Sequence, residues 1–316
     1  MHVHNPILKA SLALAVATLF AVAASSCSPK RGAEPLRLGI MPDADSLPFI
    51  VAEAEGLFEK RGVEVELVSF ANAQERDAAI QAGRLDGAVS DVLAAAFLAA
   101  GGFDTRITSA TDGRYGIAAA PGSGLGSAAE LAGKRVGLST NTIIQYSVDA
   151  IVGASGLAPD AYTAVAIPKM PVRMEMLLAG QVDAAGLPEP FLTTAVERGA
   201  TLVGTTEQFH IDAAVVVFSE AVLNARLKDV LRLYEAYADA SGRVNAAPES
   251  YRAFLVEKAR FPEDAAGAYR FVTYRKPTMP PLGQVEAAVS WLRERNLLSK
   301  PVDPSALLDD RAVAAW

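Results

Sequence analysis

One seven-residue pattern occurs twice in this chain. Ala82-Gly83-Arg84-Leu85-Asp86-Gly87-Ala88 and Ala179-Gly180-Gln181-Val182-Asp183-Ala184-Ala185 share Ala-Gly-x-x-Asp-x-Ala. In both copies the glycine suits the left-handed residue that closes a helix. The apolar run that follows is short enough for a strand buried on both faces. After the second copy, Pro188 and Pro190 turn the chain out of the sheet. Gly39 and Gly137 stand in equivalent earlier strands 98 positions apart, and Asp86 and Asp183 stand 97 apart. Two spacings that agree within one residue indicate a duplication. Each half reads strand, polar loop, helix, strand, helix, repeated-motif strand, loop. Strands alternating with helices form parallel, right-handed βαβ units. The expected fold is therefore α/β, with two similar doubly wound lobes.

The first half opens with a strand over Leu36–Met41 and the turn Pro42–Ser46, where Ser46 is placed to cap a helix running to about Arg61. Val63–Val68 alternates apolar and acidic residues, as an edge strand does. Asn72 and Glu75 make a capping-box pair for the helix that ends at Gly83. A helix from Asp91 to Ala100 and strands Thr105–Ala110 and Tyr115–Ala120 follow. Pro121–Gly126 has alternating glycines but neither GxGxxG nor P-loop spacing, so it reads as a turn. The second half offers strand Arg135–Leu138, polar loop Ser139–Thr142, helix Ile143–Ala154, strand Ala164–Ile167, a helix opened by Pro171, and a helix over Pro190–Arg198. Ala213–Phe218 is strongly β-prone. Val222–Asn245, Pro248–Arg260, Glu263–Val272 and Gln284–Arg295 are helical and must pack on a lobe.

At the other end, Lys9 precedes the apolar run Ala10–Ala24, which is short for a bilayer span but suits a signal-peptide core. The run ends Ala24-Ser25-Ser26-Cys27, which resembles a bacterial lipobox with Ala24 in the usual Leu position. Cys27 is the only cysteine of the 316 residues, so no internal disulfide exists. The resemblance implies residues 1–27 as a lipoprotein signal peptide, lipid on Cys27, and residues 28–35 as a polar tether. A plain signal peptide cut nearby is the alternative. The net charge of −7, without a basic run longer than Lys30-Arg31, excludes a nucleic-acid surface. His210 is the sole histidine beyond the leader, and no GxSxG occurs, so neither a usual zinc site nor a hydrolase elbow is supported. No metal and no cofactor are expected.

In open parallel sheets, ligands bind beyond the carboxyl ends of the strands. The candidates there are Asp43, Asp45, Ser46, Ser90, Asp91, Asp112, Tyr115, Thr140, Asn141, Thr142, Pro188 and Glu189. One of Thr140, Asn141 and Thr142 must cap the following helix; ligand contact is open for the others. Ser90 and Asp91 carry the same ambiguity. Asp43 and Asp45 disfavour a bare anion such as nitrate or a small sulfonate unless Arg114 or Lys169 offsets them, and suit an amine or aminopyrimidine. Tyr115, Tyr146 and Phe191 are candidates for stacking on a ring or for core packing. Asp86 and Asp183, in duplicate positions at strand starts, read as caps or bonds to local backbone amides rather than as an acid–base pair.

Several stretches carry a family resemblance: Leu-Arg-Leu-Gly-Ile at 36–40, Glu-Ala-Glu-Gly-Leu-Phe-Glu-Lys-Arg-Gly-Val-Glu-Val at 53–65, the repeated Ala-Gly-x-x-Asp motif, and Ala-Ala-Glu-Leu-Ala-Gly-Lys-Arg-Val-Gly at 128–137. They resemble type II periplasmic solute-binding proteins of ABC importers, in the NMT1/THI5-like nitrate, sulfonate and taurine branch. The resemblance implies two hinged lobes, 36–118 plus 214–316 and 119–213, with crossings near Ile117–Gly122 and Ile211–Val215. It places the C-terminal helices on the first lobe. It further implies a monomer that closes on a small organic solute and hands it to a permease and ATPase complex, outside the cytoplasm and touching the membrane through its lipid only. A sensor lipoprotein and an enzyme of the same fold acting on a small cyclic metabolite are the alternatives.

Overall fold

The computed structural model describes residues 34–314 apart from 159. The signal peptide, Cys27 and most of the tether lie outside the described residues. The first lobe contains β1 (Leu36–Ile40), α1 (Leu47–Ala54), α2 (Leu57–Lys60), β2 (Val65–Ser69), α3 (Ala73–Gln81), β3 (Gly87–Asp91), α4 (Val92–Ala100) and β4 (Thr105–Ala110). The second contains β5 (Tyr115–Ala119), β6 (Arg135–Leu138), α5 (Ile143–Ala154), β7 (Thr163–Ala166), α6 (Met170–Leu178), β8 (Ala184–Pro188), α7 (Phe191–Glu197) and β9 (Thr201–Thr205). The chain then returns through β10 (Ala214–Ser219) to the tail helices α8 (Glu220–Ala246), α9 (Arg252–Glu257), α10 (Glu263–Ala268) and α11 (Leu282–Glu294). The helix expected to run on to Arg61 is broken at Gly56, whose φ of 62° ends α1 and starts α2.

There are two five-stranded sheets, ordered β2-β1-β3-β10-β4 and β7-β6-β8-β5-β9. The βαβ parts are parallel, as the alternation requires. Each sheet also holds one antiparallel strand, β10 in the first and β5 in the second. Topology explains both. β4 and β9 end at the carboxyl edges of their sheets. A chain leaving one carboxyl edge for the other must enter the next sheet from that edge, and so runs backwards through it. Tyr115 thus pairs with Pro188, the last residue of β8, and Ala214 pairs with Asp91, the last residue of β3.

These pairings correct the expected lobe boundary. Tyr115 and its neighbours up to 118 lie in the second sheet, so the first crossing falls at 111–114 rather than near Ile117–Gly122. The second lies between Thr205 and Ala214. The tail is also less partisan than expected. α8 packs on α1, α2 and β10, and α11 packs on α4, but α10 packs on α7 of the second lobe. Arg198, just past α7, pairs with Asp264 of α10 at 2.9 Å. The Trp291 indole N–H of α11 donates to Asp149 of α5 at 2.9 Å.

The repeated aspartates are ties within each sheet. Asp86 Oδ2 accepts from the Arg37 amide at 2.8 Å, and Asp183 Oδ2 accepts from the Arg135 amide at 2.7 Å. In each case the donor sits on the neighbouring parallel strand, β1 or β6. A bond between a carboxylate and an amide of this kind contributes about 1–2 kcal/mol. Asp86→Ala and Asp183→Ala should each lower stability by about that amount in urea unfolding, with ligand affinity unchanged. An unchanged unfolding midpoint in both variants would contradict this scaffold role.

Candidate functional site

The carboxyl edges of the two sheets face a common cavity of about 70 Å³. At roughly 10–15 Å³ for each water-sized sphere, it holds a few non-hydrogen atoms beyond a single water. Its lining comes from both lobes: Met41, Asp43 and Asp45 after β1, Arg76 on α3, Ser90 and Asp91 ending β3, Tyr115 starting β5, Ser139 and Thr142 after β6, Met170 on α6, and Pro188 ending β8. Val89, Ile143 and Ile144 add apolar wall.

Asp45 is the most heavily engaged group. It is 3% exposed. Oδ1 accepts from the Thr111 hydroxyl at 2.6 Å and Oδ2 from the Tyr115 hydroxyl at 2.8 Å. Burial raises its pKa, and these two hydroxyl bonds oppose the rise. Thr111 lies in the first crossing and Tyr115 in the second lobe, so one carboxylate joins the first lobe's loop to both. A side chain at Gly113 would clash with it, because a Cβ there would lie 1.9 Å from Asp45 Oδ2. Asp43 is used locally: its Oδ1 accepts from the Ser46 amide at 3.0 Å. Burial first, and then the charge of Asp45, push the Asp43 carboxyl up to about 7.

Two residues that the sequence reading did not single out complete the electrostatics. Arg76 and Arg173 are 1% and 0% exposed. They stand 97 positions apart, the same period as Asp86 and Asp183. Arg76 Nη1 donates to the Val89 carbonyl of β3 at 3.1 Å, and Arg173 Nη1 donates to the Gly186 carbonyl of β8 at 2.8 Å. Val89 and Gly186 are themselves 97 apart. Each lobe therefore carries one buried arginine clamped to the strand that follows its repeated motif. Arg76 Nε donates to Asp77 at 2.8 Å, and Nη2 lies 3.6 Å from Asp91. Nη2 is also 2.8 Å from Asp77 Oδ1, but the contact is off-line and Nη2 completes no hydrogen bond. Arg173 makes its other bonds to the Ile167 carbonyl at 2.8 Å and to Ser139 Oγ. Burial brings its pKa down to about 10. The signal that would have found both arginines is the duplication period applied beyond the motif itself.

The predicted contacts divide. Asp43, Asp45, Ser90, Asp91, Tyr115, Thr142 and Pro188 line the cavity. Ser46, Asp112, Thr140, Asn141 and Glu189 do not line it. Ser46 makes no side-chain cap; its Oγ accepts from the Met41 amide at 3.3 Å and so shapes the loop. Asp112 is bonded to the amide and guanidinium of Arg275. Thr140 and Asn141 are exposed, and Thr142 is the cap, accepting from the Ile144 amide at 3.2 Å. Glu189 is 2% exposed, accepts from Arg114 Nε and Nη2 at 3.0 and 2.8 Å, and takes the Thr193 amide at 3.1 Å. Arg114 is thereby spent on Glu189. Lys169 is not on the cavity wall either, and the positive charge beside Asp43 comes from Arg76. Tyr146 is buried edge-on to Trp291, and Phe191 packs in the second lobe's core, so neither stacks in the cavity. Among the described residues, no group of three or more His, Cys, Asp or Glu side chains is placed to hold a metal ion.

Sequence and fold comparisons agree with this architecture. The sequence model described as NMT1/THI5 like matches residues 43–250. A protein of Brachyspira hyodysenteriae (strain ATCC 49526 / WA1), named as an ABC transporter periplasmic binding protein, is 26% identical over 258 residues, covering 74% of this chain and 72% of the relative. The fold is similar to that of the periplasmic aliphatic sulphonate binding protein SsuA from Escherichia coli, with TM-score 0.76, 16% identity, and coverage of 88% of this chain and 92% of that one. It is also similar to the periplasmic nitrate-binding protein NrtA from Synechocystis PCC 6803, with TM-score 0.69, 15% identity, and coverage of 87% and 85%. The desulfurization enzyme DSZB is similar too, with TM-score 0.62, 19% identity, and coverage of 87% and 97%. One fold thus serves binding proteins and at least one enzyme.

The position of Asp43 sets a pH dependence. An unfolded aspartate releases its proton near its ordinary value, whereas the folded one holds it to about 7. Between those limits the unfolded chain binds fewer protons, so the stability contributed by the neutral carboxyl is present below about pH 4 and is lost as pH rises through 7. Asp43→Asn keeps the acceptor for the Ser46 amide and removes the titration. Its Tm should match the wild type near pH 4.5 and exceed it by about 5 °C at pH 8. Parallel pH profiles for the two proteins would contradict the assignment.

Proposed function

Because the chain belongs to the NMT1/THI5-like family, we propose that it is the extracytoplasmic solute-binding component of an ABC importer. It captures a small organic solute between its lobes and presents the closed, loaded form to a permease and its ATPase. The observation that carries this reading is the cavity at the facing carboxyl edges, in which Ser90 Oγ is buried and has no hydrogen-bond partner. A buried hydroxyl left unpaired is costly, and a ligand atom removes that cost. The wall belongs to both lobes, so a solute that touches both favours the closed arrangement by its extra contacts there. Delivery then needs recognition of the closed form and no bond-breaking by this protein.

Among the described residues no helix is long and apolar enough to cross a membrane. Lipidation at Cys27, after the lipobox-like Ala24-Ser25-Ser26, would hold the binder beside its permease. Metabolic labelling with a fatty-acid analogue tests that step, with Cys27→Ala as the control that abolishes the label. For the binding function, a thermal-shift panel of several hundred metabolites should give at least one saturable stabilisation. Ser90→Phe fills the cavity, and should abolish that stabilisation while leaving the far-UV circular dichroism unchanged. Full retention of the shift in the folded variant would place binding elsewhere.

A further inference from the structure

The hydroxyl of Ser139 has one role left open to it. Arg173 Nη2 donates to Ser139 Oγ, and a guanidinium has no acceptor atom. Ser139 is therefore the acceptor in that bond, and its own proton must be given elsewhere. No group among the described residues takes that proton. Ser139 is 8% exposed and lines the cavity. Behind it, Arg173 is bonded only to carbonyls and to this hydroxyl, with no carboxylate within ion-pair distance among the described residues. A buried cation without a counter-charge is costly, and an anionic group one residue away reduces that cost in a low-dielectric interior. On the facing wall, Ser90 Oγ and Arg76 Nη2 are buried and complete no hydrogen bond. The three carboxylates on the wall already have partners: both oxygens of Asp45 are taken by hydroxyls, Asp91 caps α4 and lies beside Arg76, and Asp43 accepts from the Ser46 amide.

We propose that the solute carries a hydrogen-bond-acceptor head, an oxygen-bearing group such as a carboxylate, held between Ser90 and Arg76 of the first lobe and Ser139 of the second, and that Arg173 is the positioning residue that keeps the Ser139 hydroxyl a donor. The inference rests on the cavity being the solute site. The carbon body lies against Met41, Val89, Ile143, Ile144 and Met170. An amine head would meet the Arg76 guanidinium and a hydroxyl that has only a proton to offer. The chemistry thus reverses the expectation drawn from Asp43 and Asp45 alone.

The test uses butanoate and butan-1-amine, matched in length, titrated against the full-length protein at pH 7 with Tm as readout. Butanoate should raise Tm saturably in the wild type and in Ser139→Thr, which keeps the hydroxyl. Ser139→Ala should need about tenfold more butanoate for the same shift, and the amine should give none. A purely structural Ser139 would change the ligand-free Tm but not the butanoate requirement. Equal butanoate requirements in wild type and Ser139→Ala overturn the proposal, as does a saturable shift with the amine or a flat response to both probes. Binding of the amine would leave the solute-binding function standing and remove only the acceptor head. Silence of both probes together with a silent metabolite panel would remove the function itself.

Discussion

The Asp45 carboxylate joins three parts of the chain that are far apart in sequence. It belongs to the loop after β1, and it takes the hydroxyls of Thr111 in the first crossing and Tyr115 in the second lobe. Burying a carboxylate is unfavourable unless its lone pairs are filled; here two hydroxyls fill them. The bonds hold the floor of the cleft, and they require glycine at 113, where any side chain would occupy the carboxylate's place. Asp43 in the same loop is held locally by Ser46 and has a raised pKa. The two carboxylates of this loop thus differ: both oxygens of Asp45 are engaged by hydroxyls, whereas burial and the neighbouring Asp45 push the Asp43 carboxyl up to about 7, where it titrates near neutral pH.

A duplicated sequence has produced a duplicated electrostatic frame. Each lobe ties its repeated aspartate to the first strand and clamps a buried arginine to the strand after the motif. The copies then diverge at the cavity. Arg76 reaches the wall itself, beside Asp91, whereas Arg173 acts one residue back through Ser139. Asp91 and Pro188 occupy matching strand ends, opposite Ala214 and Tyr115. One is a helix cap and the other a turn. Symmetry thus built the frame, and asymmetry at its rim set the chemistry.

Much of this frame was legible in the sequence. The paired Ala-Gly-x-x-Asp motifs located two strands and two helix ends, because backbone requirements act locally; Asp86 and Asp183 do bond backbone amides, but on the neighbouring strand 49 and 48 positions away rather than locally. The loops at strand ends were also legible, and seven of the named contacts do line the cavity. What failed was direction. Glu189 and Asp112 lie in the right loops, but their carboxylates turn to Arg114 and Arg275, partners whose positions depend on tertiary packing. Asn141 and Thr140 lie one and two residues from the capping Thr142, and a shift of that size on a loop turns a side chain to solvent. The antiparallel β5 and β10 were hidden because strand direction is a property of how the crossings are routed. Arg76 and Arg173 were missed because a charged residue within a helix reads as solvent-facing until its duplicate is noticed.

The central claim is that two lobes enclose a solute on the wall formed by Ser90, Arg76 and Ser139. Native mass spectrometry of protein purified without denaturation, for the wild type and Ser90→Phe, tests it most directly. The wild type should carry one small organic molecule per chain, released by mild collisional activation, and Ser90→Phe should be bare. The same adduct at the same occupancy on the folded Ser90→Phe variant would contradict the account.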